Sequence, residues 1–255
     1  MTSHGRSKDG KRSPARERFF ALSVNASSGQ VGIVTEGNAY TALLSDLLAS
    51  TNLAGLGLAE AAQPSLSKSK SLAPKAGGLN IEGLTVMPAS SNLLIGFRNP
   101  VPHGRALLVP LLNPDDVIDR GAQARFGSPI LLDLGGRGIR SIEYCPWRGD
   151  YLIAAGPVDE EEDFALYAWP GGQVRTAVRL PETVFIRGIK DFAPEALALD
   201  ESTRRVFIAT DDGSRDIPVA SETECTVKTK NGTCPNKSLA DPRRKTFRAL
   251  LPGLE

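Results

Sequence analysis

Glutamates at positions 82, 143 and 195 stand near the openings of three similar apolar runs, and these recurring carboxylates are the residues best placed to do chemistry. If Glu82, Glu143 and Glu195 begin equivalent strands around one axis, the fold brings them toward a single mouth. Asp211 and Asp212 follow the second apolar segment of the third run and stand at the same level by repeat position. Converging carboxylates with few nitrogen or sulfur ligands suit a hard cation such as calcium, which takes about 6–8 oxygen ligands. Such an ion would polarise a carbonyl or phosphoryl oxygen and lower the pKa of a bound water, which is hydrolase chemistry. Arg98, Arg137 and Arg140 lie near the same level and offer the carboxylates a different use. Each glutamate could pair with an arginine or with backbone amides of the neighbouring unit and lock the units together, since buried charges need partners. The arginines could instead hold an anionic ligand.

Other chemistries lack their residues. His4 and His103 are the only histidines, and neither has a second ligand at metal-binding spacing. No Gly-x-Ser-x-Gly elbow and no Gly-x-x-x-x-Gly-Lys-Ser/Thr loop occurs. The run Gly55-Leu56-Gly57-Leu58-Ala59-Glu60 places Glu60 where a dinucleotide fingerprint needs a third small residue. Gly135-Gly136-Arg137-Gly138 leads from one strand to another and reads as a tight turn. Cys145 has no partner in its neighbourhood and reads as a small buried apolar residue. Cys225 and Cys234 flank Asn231-Gly232, a hairpin-turn dipeptide. A turn there could bring the two sulfurs within disulfide reach, and two free thiols fit the spacing as well.

The elements that must position these side chains are repeated short strands. The first unit runs through Ile81–Val86, Leu93–Arg98, Ala106–Val109 and Pro129–Leu134. The second runs through Ile139–Tyr144, Tyr151–Ala155, Phe164–Trp169 and Arg175–Leu180, and the third through Pro194–Leu199, Val206–Thr210 and Phe247–Leu251. The three glutamates lie 61 and 52 residues apart, and four strands at a period near 50 are the sequence signature of propeller blades. A β-sandwich would also show many short strands, but not a carboxylate recurring in each unit. The expected fold is therefore all-β: an incomplete β-propeller of about three to four four-stranded blades with a short helical insertion. Ser3-His4-Gly5-Arg6 followed by Arg18–Val24 parallels Gly96-Phe97-Arg98 followed by the strand at Ala106. This divides the chain into a partial blade at 1–36, a helical and loop insertion at 37–78, and three further blades at 79–255. The opening in mid-blade leads us to expect the C-terminal portion of a longer propeller, open to self-association through unpaired strand edges. Leu43, Leu44, Leu47 and Leu48 have amphipathic helical spacing, and Leu53 to Ala62 reads as a second helix. This insertion could serve as a lid over one face or as a connection that packs its leucines. The Ser65–Ser71 stretch is polar and of flexible composition.

Several separated motifs carry a family resemblance. Gly78–Leu84, Leu94–Pro100, Leu132–Arg140 and Tyr151–Pro157 resemble a bacterial family catalogued as domain of unknown function 3616, and Ser3–Arg6 looks like that family's preceding blade. The resemblance implies a propeller and no transferable activity. The chain is also similar in plan to gluconolactonase-like and phytase-like propellers, which implies calcium held by carboxylates at the channel mouth.

Composition narrows the partners. The 255 residues are 41% hydrophobic and 23% charged, and 30 Lys plus Arg against 29 Asp plus Glu leave a net charge of +1. That balance gives no general pull toward nucleic acid or an anionic membrane. No apolar run approaches the ~20 residues of a membrane-spanning helix, so a soluble protein is expected. The basic residues before Arg18 are interrupted by Asp9 and Glu17 and are not interleaved with stacking aromatics. No secretory signal precedes them, so cytoplasmic residence is the default, although a longer N-terminus could carry one. The function expected is a binding or scaffold propeller; the alternative is a calcium-dependent hydrolase of a small ester, lactone or phosphate.

Overall fold

In the computed structural model, which describes residues 2–27, 30–64, 70–88, 90–159, 163–181 and 183–252, the apolar runs become strands of four main antiparallel sheets. The first sheet orders β1 (Thr2–Ser3), β2 (Arg18–Ser27) and β3 (Gln30–Tyr40). Two short helices, α1 (Leu43–Ala49) and α2 (Leu58–Ala61), lead to the second. There β4 (Asn80–Val86), β5 (Leu93–Asn99), β6 (Ala106–Leu111) and β7 (Ile130–Leu132) pair in sequence order, with α3 (Pro114–Arg120) before β7. The third repeats the plan with β8 (Gly138–Cys145), β9 (Asp150–Gly156), β10 (Ala165–Trp169) and β11 (Val178–Arg179). After α4 (Thr183–Arg187), the fourth joins β12 (Pro194–Asp200) and β13 (Arg205–Thr210). A separate ribbon of β14 (Asp216–Pro218) and β15 (Thr233–Pro235) intervenes before β16 (Ala249–Leu250) completes that sheet beside β13.

The first strands β4, β8 and β12 pack beside one another, β1 packs on β4, and later strands step outward. The sheets therefore stand as blades around an axis, each open and none closed into a barrel. The fold is all-β and propeller-like. Strand alternation produces it: in β9, Tyr151, Ile153 and Ala155 join the apolar cluster shared with the second sheet, whereas Leu152 and Ala154 join the one shared with the fourth. A strand buried on both faces needs apolar residues at every position, and β9 has them. Cys145 is a free, buried cysteine in the cluster with Leu197 and Ile208.

Leu43, Leu47, Leu53 and Leu58 of the helical stretch bury themselves against Ile81, Ile95 and Phe97 of the second sheet, while Leu48 faces out. Residues 65–69 of the polar stretch lie outside the described residues. From Phe19 to Thr35 the β2–β3 hairpin has neither a charge nor a proline, and Val24, Val31 and Ile33 are exposed. Among the described residues no helix is long and apolar enough to cross a membrane.

Candidate functional site

Each first strand slips its ladder by one residue at the same level. The register of β4 with β5 shifts between Ile81 and Gly83, that of β8 with β9 between Ile139 and Ser141, and that of β12 with β13 between Pro194 and Ala196. The residue left over is Glu82, Arg140 or Glu195. A bulge leaves its extra residue unpaired and re-aims the side chain. The equivalent positions are thus Glu82, Arg140 and Glu195, 58 and 55 residues apart, and not Glu82, Glu143 and Glu195. In the middle sheet the recurring position carries the opposite charge.

The consequence is a chain of ion pairs. Arg140 Nε lies 3.1 Å from Glu82 Oε2, and Arg140 Nη2 pairs with Glu195 Oε1. Arg98 Nη1 is 3.5 Å from Glu82 Oε1, and Asn80 Nδ2 donates to that same oxygen at 2.6 Å. Arg98 also donates to the carbonyl oxygens of Pro157 (3.2 Å) and Asp159 (3.3 Å), so it ties β5 to the loop after β9. Arg140 is only 3% exposed and lies over the Phe164 ring. Its burial lowers the guanidinium pKa to about 10, with the Glu82 carboxylate opposing that shift.

The other sequence candidates go elsewhere. Arg137 pairs with Asp163 and donates to the Leu134 and Asp163 carbonyls, fastening the β7–β8 turn to the loop before β10. Asp212 is buried and pairs with Arg248 at 2.7 Å, which joins the end of β13 to β16 and holds the Asp212 carboxyl below its usual range. Asp211 is exposed at the mouth, and its Oδ1 accepts the Gly213 N–H at 2.8 Å. Cys225 and Cys234 form a disulfide, with Asn231 and Gly232 both at positive φ in the turn between them (52° and 72°). Among the described residues no group of three His, Cys, Asp or Glu side chains is placed to hold a metal ion. Calcium does not fit the donor set, because a guanidinium lies between the two carboxylates that would have to share the ion.

Glu143 sits three residues further along β8, on the face it shares with Ser141 and Cys145. Ser141 Oγ accepts the Leu197 N–H, so this face looks toward β12. The Glu143 carboxyl is partly buried with no compensating charge, and burial raises its pKa to about 7. A carboxyl pKa raised in the folded state adds stability that is complete below the unfolded value and is lost as pH rises through about 7. Glu143→Gln should therefore raise stability by about 1–2 kcal/mol at pH 8, less than the full shift because solvent reaches part of the group. At pH 4 it should change little. Urea unfolding at the two pH values checks this; an equal effect at both would remove Glu143 as the source.

Two adjoining cavities open at the bulge end of the axis. One, of about 600 Å³, is bounded by Arg140, Phe164, Glu195, Asp211 and Arg248. The other, of about 1570 Å³, is bounded by Arg6, Lys8, Arg16, Lys70 and Glu82. Both reach Lys75, Arg98, Asp159 and Asp211. The basic side of this mouth was not among the sequence candidates. Its signal was the parallel between Ser3–Arg6 and Gly96–Arg98: like Arg98, Arg6 is 4% exposed and donates to carbonyls, those of Gly10, Ala61 and Gln63.

Residues 30–190 match the model of a family described as a protein of unknown function, DUF3616. No curated protein and no solved structure matches the chain.

Proposed function

Because the chain belongs to DUF3616, a family of unknown function, we propose its role from geometry: a binding propeller without a reaction of its own, whose Glu–Arg chain is structural. The observation that carries this reading is Arg140 standing between Glu82 and Glu195. The guanidinium charge sits where a cation would have to sit between the two carboxylates, and it neutralises the charge that such an ion would need. The cavities beside the chain are lined mostly by charged and polar residues and are large enough for a small molecule, which is where a binding role would be exercised. A calcium-dependent hydrolase would require Glu82, Glu143 and Glu195 to share an ion, and Glu143 lies three positions along β8 from Arg140, which marks the level of the other two.

Thermal melts in calcium and in chelator test the proposal. The midpoints should agree within about 1 °C. Saturable stabilisation, about 5–10 °C at calcium a hundredfold above its Kd, would overturn it in favour of a metal-dependent activity.

A further inference from the structure

We propose that the larger cavity binds a small, multiply charged anion of the phosphorylated-metabolite class, held by Lys8, Arg16, Lys70 and Lys75 against the buried Arg6. The inference rests on the binding reading above and names the ligand class for its mouth.

Two independent observations point there. The first is Arg6: it is 4% exposed, it donates to three carbonyl oxygens, and no carboxylate lies within ion-pair distance among the described residues. The nearby acid Glu17 is taken by Arg12, whose Nη2 lies 2.6 Å from it. A buried guanidinium whose hydrogen bonds all go to carbonyl dipoles, and whose nearby acid is held by another arginine, leaves charge that an incoming anion can balance. The second is the rim. Among the described residues Lys8, Lys70 and Lys75 form no ion pair, and Arg16 donates to the Arg6 carbonyl and pairs with no carboxylate. The acids bounding the same cavity are Asp9, Glu82, Asp159 and Asp211, of which Glu82 is taken by Arg98 and Arg140. The lining's six bases (Arg6, Lys8, Arg16, Lys70, Lys75 and Arg98) outnumber these four acids, so the wall keeps a positive surplus.

Several cations converging without counter-ions favour a ligand with two or more negative charges. A volume of about 1570 Å³ leaves room for an organic body beside the charged groups of the anion. Aromatic side chains are absent from the lining among the described residues, which removes the stacking platform a single-stranded nucleic acid would use.

The test is calorimetric titration of the full chain with pyrophosphate and with glycerol phosphate, at constant ionic strength. Saturable one-to-one binding is expected, weakened about tenfold or more in Lys8→Ala/Lys75→Ala. Lys228→Ala, on the distant ribbon, should bind as the parent does. No saturable binding, or binding that the rim variant leaves unchanged, overturns the proposal. Tighter binding of an oligonucleotide than of either probe also overturns it. Phosphate release, followed in the same samples with calcium present, separates the two ideas: release with binding intact would remove the reaction-free reading and leave the anion site standing.

Discussion

Arg140→Met is expected to destabilise the chain by about 3–5 kcal/mol, the usual cost of removing one partner from a buried ion pair. The methionine matches much of the arginine's length but leaves Glu82 and Glu195 facing each other without the cation between them. Arg98 alone would then have to balance Glu82 from 3.5 Å. The loss lies in stranded carboxylates rather than in missing attraction, so removing their charge should reverse most of it. The triple variant with Glu82→Gln and Glu195→Gln should recover all but about 1–2 kcal/mol, because a neutral substitute for a buried ionic group often costs little. Urea unfolding of the single, double and triple variants measures the coupling. A loss below about 1 kcal/mol in Arg140→Met would mean that the chain of charges is solvated and holds nothing together.

Gly138→Ala should cost about 2–4 kcal/mol through a different route. Gly138 opens β8 where that strand crosses the end of β5, and an added Cβ would lie 2.1 Å from the Arg98 carbonyl oxygen and 2.7 Å from its Cα. Both are backbone atoms, so no side chain can turn away. The second and third sheets must separate instead, and Arg98 moves with them. Gly32→Ala in β3 is the control: its nearest neighbour would be the Asn25 carbonyl oxygen at 3.8 Å, and the change should stay within about 0.5 kcal/mol. If the two substitutions cost the same, the effect is one of strand propensity and not of sheet contact.

The strands were legible because their cause is local. Leu93–Phe97, Tyr151–Ala155 and Val206–Ala209 are continuous apolar runs followed by turn residues, and such runs have few other ways to be buried. The Asn231-Gly232 turn was legible for the same reason, since both residues tolerate positive φ. The site was legible only in part. Glu82 and Glu195 are legible as carboxylates at strand openings, and Arg98 and Arg140 as arginines near the same level, but correspondence by residue type pairs Glu82 with Glu143. A bulge inserts an offset of one residue that depends on pairing with a distant strand, and nothing within Gly138–Cys145 marks Arg140 rather than Glu143 as the residue that leaves the ladder. The basic side of the mouth was harder still. Arg6 is separated from Lys70 and Lys75 by the first sheet and the helical stretch, and only tertiary packing brings them to one cavity.

At 82, 140 and 195 the backbone decides which residue is expelled from the ladder, so the fold fixes an address and leaves its tenant free. What must be preserved is the summed charge of the three addresses, with Arg98 completing neutrality. An acid could become a base at one address only together with the opposite exchange next door. Descent would then act on the trio as one inherited character. Relatives compared column by column would show three drifting positions, while the quantity under selection, their summed charge, stayed constant.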